Sequence, residues 1–177
     1  MLCGLTAFLL TLQGILYTPL RTSAAPWGIV SLEFAWTAQR LDQILASWSD
    51  NATMGVLFGL KLGYLCLLAL TTTTALACVM AAGTMRGVLA AAGLLLAWGQ
   101  WAAAVLWAVE NSLIFWAVLV WVPGGHASAL TIGLASCLAA LKFALTGLGV
   151  VYATAGGIRS VMMSPPIMRA VPGSKSG

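Results

Sequence analysis

Apolar residues run almost unbroken over residues 2–20, 54–82, 88–122 and 130–155, and the polar positions collect between these runs. At 1.5 Å per residue, about 20 helical residues cross a hydrocarbon core of roughly 30 Å, so each run predicts a membrane span. The third is too long for one upright crossing: it ends near 112, or reaches 122 if it tilts. A break, if there is one, belongs at Glu110-Asn111-Ser112, where three polar groups interrupt the lipid-soluble sequence.

Between the first two spans the pattern changes. Ala25-Pro26-Trp27-Gly28 reads as a turn, and Thr37 can cap a helix over 37–48. Leu41, Ile44, Leu45 and Trp48 share one face of it, with Gln39, Arg40, Asp42 and Gln43 elsewhere. This periodicity fits a short amphipathic helix at the membrane surface, or equally one packed on its own protein. Trp27, Glu33, Trp36 and Trp48 are the candidate interfacial residues. The predicted fold is therefore all-α: a four-transmembrane-helix bundle over 1–158, with the amphipathic helix between its first and second spans. Residues 159–177, with Arg159, Arg169 and Lys175, predict an extended basic tail.

Composition agrees with the pattern. Of 177 residues, 61% are hydrophobic and 7% charged, against about 25% charged in soluble domains. The net charge of +4 is spread over single basic residues, which argues for topology rather than nucleic acid as their role. The start Met1-Leu2-Cys3-Gly4 lacks a basic flank, so the first run is expected to be a retained span and not a cleaved signal. With four spans, Arg86 and the basic tail share one side, free of acids, and the positive-inside rule puts both termini in the cytoplasm or its equivalent. A bacterial inner or photosynthetic membrane is the expected setting.

Gly55, Gly59 and Gly63 recur every four residues and predict a face for close helix packing. Cys3, Cys66, Cys78 and Cys137 lie singly in apolar runs, and no metal-binding spacing joins them. No metal site is expected, and no cofactor is implied, though lipid or pigment binding stays open; haem or chlorophyll would have to use His126 or backbone groups. The sequon at Asn51 is a short motif that chance also produces. Catalytic motifs such as HExxH or GxSxG do not occur, and four acids with one histidine leave little for acid–base chemistry, so an enzyme is not expected.

Ionisable residues inside spans are costly and are functional suspects by default. They are Lys61, Glu110 and Lys142, with Asn111 beside the acid. A Glu110 pair with Lys142 or Lys61 would avoid an isolated buried charge. It would serve a proton or ion relay, an acidic-ligand anchor, or simply the register of the bundle.

The segments Gly28-Ile29-Val30-Ser31-Leu32-Glu33-Phe34-Ala35, Ile44-Leu45-Ala46-Ser47-Trp48, Thr72-Thr73-Thr74-Ala75-Leu76-Ala77-Cys78, Ala108-Val109-Glu110-Asn111 and Leu141-Lys142-Phe143-Ala144-Leu145 resemble an uncharacterised family of small four-span bacterial membrane proteins. The resemblance covers residues 27–152 and implies a four-helix architecture, singling out Glu33, Glu110, Asn111 and Lys142. The resemblance implies an acid early in the second span, where this chain instead has Lys61-Leu62-Gly63. Two functions fit: an accessory subunit of a larger membrane complex, energy-transducing or photosynthetic, with other subunits and lipids as partners; or a small carrier or lipid/cofactor-binding protein with its site around Glu110, Asn111 and Lys142.

Overall fold

The computed structural model describes residues 2–48, 50–122 and 124–163. Within them the chain is helical: α1 (Leu2–Tyr17), a 3₁₀ turn (Thr18–Leu20), α2 (Ile29–Glu33), α3 (Ala38–Ala46), α4 (Asp50–Thr84), α5 (Val88–Trp121) and α6 (Ala129–Met163). Three of these helices, α4 to α6, are long and apolar enough to cross a membrane, whereas the first apolar helix, Gly4–Leu20, is shorter. At 34 or 35 residues each, α4 to α6 are about 50 Å long. That exceeds the hydrocarbon core by several turns, and residues 18–48 pack at one end of the three.

Side-chain contacts give the helix directions. Thr6 meets Thr73, Cys66 donates toward the Leu9 carbonyl, and Tyr17 lies against Gly59, so α1 is antiparallel to α4. Tyr64 bonds Ser112 across α4 and α5, and Tyr152 donates to the Leu89 carbonyl across α6 and α5. Cys78 reaches the Gly149 carbonyl, which makes α4 and α6 parallel with α5 antiparallel to both. Small residues set the closest approach: a Cβ on Gly156 would lie 2.8 Å from the Ala81 Cα, so α4 and α6 touch through backbone there.

Residues 18–48 form a cap over one end of α4, α5 and α6. Leu20, Ile29, Leu32, Leu41, Ile44 and Leu45 join Val56, Leu60, Ile114, Val118 and Ile132 in one buried cluster. Thr37 begins α3 by accepting from the Arg40 amide, and α3 turns Leu41, Ile44 and Leu45 inward.

Several expectations change. The third run does not break at Glu110: α5 is continuous because the polar groups are satisfied sideways, Glu110 by a lysine and Ser112 by Tyr64 and the Ala108 carbonyl. The fourth run continues to Met163, so residues 159–163 are helical rather than extended; 164–177 and the Asn51 side chain lie outside the described residues. Gly59 and Gly63 are packing positions, against Tyr17 and against Asn111 with Gln13, but a side chain at Gly55 would meet open space. Trp48 is not at an interface: it is buried, and its indole N–H donates to the Leu20 carbonyl at 2.8 Å. Trp27 and Trp36 are exposed.

Candidate functional site

The centre of the molecule is a lysine between two acids. Lys142, from the middle of α6, places Nζ 2.6 Å from Glu110 Oε2 on α5 and 3.2 Å from Glu33 Oε1 at the end of α2. The three residues are 2%, 0% and 7% exposed. Antiparallel packing of α5 and α6 brings 110 level with 142, and the cap delivers Glu33 from over a hundred residues away. Phe34 stacks on Phe143 with centroids 5.8 Å apart, and Ser136 Oγ accepts from the Trp36 amide at 3.0 Å, so the chain just after Glu33 is registered on α6.

The surroundings favour a cation at Lys142. Its Nζ lies 4.9 Å from the Trp107 ring centroid and 4.8 Å from that of Phe143, within cation–π range. Two carboxylates and one ammonium sum to one uncompensated negative charge. Burying that charge costs several kcal/mol, about as much as placing a proton on the acid pair avoids. Burial pushes the Glu33 carboxyl above its ordinary range, and the Lys142 charge opposes the rise. The oxygens turned away from Lys142, Glu33 Oε2 and Glu110 Oε1, are buried without a hydrogen-bond partner among the described residues.

The helix that carries Glu33 is short and bounded by unusual backbone. It has five residues, begins at Gly28 with φ 60° and is followed by Trp36 with φ 58°. For glycine that conformation is free, but for tryptophan it is strained by about 1–2 kcal/mol. Ile29, Leu32 and Glu33 face inward. On its other side Val30, Ser31 and Phe34 line an open cavity of about 460 Å³ together with Pro26, Trp27 and Arg40. One turn of helix therefore separates that cavity from the charged triad.

Glu110 and Lys142 come together, and Asn111 and Lys61 do not join them. Asn111 is buried but turns its amide toward Gly63. Lys61 is exposed, its Nζ 5.9 Å from the Phe115 centroid. His126 is exposed and pairs with Asp42 at 3.2 Å. Glu33, expected at the interface, is instead the triad's third member. Its signal in the sequence was its setting, an acid enclosed by Ile29, Val30, Leu32, Phe34 and Ala35. Among the described residues no group of three His, Cys, Asp or Glu is placed to hold a metal.

This fold and this site define a helical membrane protein with a buried, charge-imbalanced triad. No family model matches the chain, and neither the curated proteins nor the solved structures contain a match to it.

Proposed function

We propose that the chain is a four-span integral membrane protein that takes up and releases a proton at Glu33, Lys142 and Glu110, and so acts as a small proton-linked carrier rather than as an enzyme. The observation that carries this reading is two buried carboxylates sharing one lysine: the site is neutral with one added proton and charged without it, so its occupancy changes the electrostatic cost of keeping the cap closed. The resemblance to small four-span bacterial proteins agrees with the architecture proposed.

Depth supports the same reading. Glu110 lies 22 residues along α5 from Val88, about 33 Å at 1.5 Å per residue. If Arg86 marks the cytoplasmic edge of the hydrocarbon, the triad sits at the opposite edge, beneath the cap. There a proton enters from the non-cytoplasmic face once α2 lifts between Gly28 and Trp36. We take the first helix, antiparallel to α4, as the fourth span, its start turned toward the Arg86 end.

Reconstituted vesicles holding a pH-sensitive dye test the proposal. Proton uptake driven by a pH step is expected for the native protein and to fall at least tenfold in Glu33→Gln and Glu110→Gln, with the variants still folded. Uptake unaffected by either exchange would overturn it. Loss only of assembly with other membrane proteins would instead favour an accessory subunit.

A further inference from the structure

We infer that the pocket at the Arg86 end of the bundle binds a phosphate-bearing anion, supplied by a lipid headgroup. The pocket measures about 600 Å³ and is lined by Thr84, Met85, Arg86, Arg159, Ser160 and Met163, with Gly83 at its edge. It forms where α4 ends, α5 begins and α6 ends.

Its charge is unbalanced. Two guanidinium groups line it and no acid does. The C-terminal ends of α4 and α6 contribute about half a negative charge each, and the start of α5 about half a positive one, so the pocket keeps roughly +1.5. The Arg159 Nε is buried and has no hydrogen-bond partner among the described residues. Thr84 cannot take the donor's place toward an anion, because its hydroxyl proton already goes to the Ala81 carbonyl at 2.8 Å. The arginines therefore supply the recognition, and the oxygens of a phosphate match the planar fork of a guanidinium.

The neighbouring surface identifies the source. Val88, Leu89, Ile158, Val161 and Met162 around the pocket are all more than half exposed and apolar. Acyl chains can lie along them while the headgroup enters between Arg86 and Arg159. A free phosphate would use the arginines and leave that apolar surface unused.

The test uses the full chain in nanodiscs of phosphatidylcholine alone or with phosphatidylglycerol, read by native mass spectrometry and thermal unfolding. Retention of phosphatidylglycerol and a raised melting temperature are expected, with lipid affinity about tenfold weaker and the rise in melting temperature lost in Arg86→Gln/Arg159→Gln. Arg40→Gln, at the other end of the molecule, should change neither. Should the double variant not fold, Arg86→Gln alone, at an exposed side chain, must itself weaken retention. Stabilisation by inorganic phosphate in phosphatidylcholine discs, with no further gain from phosphatidylglycerol, would overturn the lipid source. Retention unchanged in the folded variants would overturn the site.

Discussion

Phe34 stacks on Phe143 with 24° between their ring planes, and each ring is the sequence neighbour of a triad residue. The aromatic pair therefore sets the register of α2 on α6, holding Glu33 opposite Lys142. Aromatic pairs contribute about 0.5–1.5 kcal/mol beyond their buried area. A double-mutant cycle of Phe34→Leu and Phe143→Leu, read by unfolding in detergent, should return a coupling in that range. Additive effects would mean that the rings do not register the cap.

Removing the lysine should be far worse than removing an acid. Lys142→Met leaves two carboxylates face to face, and breaking a buried pair in this way costs about 3–5 kcal/mol. Glu110→Gln leaves a balanced pair of Glu33 with Lys142 and should cost about 1 kcal/mol. The triple exchange Lys142→Met/Glu33→Gln/Glu110→Gln should recover most of the lost stability, because nothing charged stays buried. Equal losses for the two single variants would contradict the charge balance.

The pH dependence of stability carries a definite sign. Burial raises the Glu33 carboxyl above its ordinary 4.5, so above that pH the folded protein keeps a proton that the unfolded chain has lost. Stability then falls as pH rises from about 4.5 through the raised value. Glu33→Gln should flatten the slope in that window. An unchanged profile would place the titration elsewhere.

Gly156 tests how tightly α4 and α6 approach. Gly156→Ala sets a Cβ against the Ala81 backbone, which cannot step aside as a flexible side chain would. Overpacking of this kind costs about 1–3 kcal/mol. Gly55→Ala, facing open space, should be neutral or slightly stabilising on helix propensity alone. Equal melting temperatures for the two variants would refute the packing.

The long helices were legible because apolar runs of this length have few alternatives, and a lysine partner for Glu110 followed from the cost of burying its charge alone, with Lys142 and Lys61 both open. What stayed hidden depended on the path of the chain. Glu33 sits in the most polar stretch, and only the fold of the cap carries it to Lys142. The expected break at Glu110-Asn111-Ser112 does not occur because Lys142 and Tyr64, distant in sequence, meet those polar groups. Trp48 was placed at an interface by residue type, yet the Leu20 carbonyl gives its N–H a partner inside the core. Glycine spacing marked Gly59 and Gly63, whereas Gly93, Gly149 and Gly156 follow no repeat and pack because Tyr152, Gln100 and Ala81 happen to face them.

One proton shared by Glu33 and Glu110 is the centre of the account, and infrared spectroscopy of the reconstituted protein near neutral pH observes it directly. A protonated-carboxyl band should be present in the native protein and vanish in both Glu33→Gln and Glu110→Gln, since the remaining acid then pairs with Lys142 in ionised form. Absence of that band from the native protein, or its persistence in both variants, would contradict a proton held by the triad.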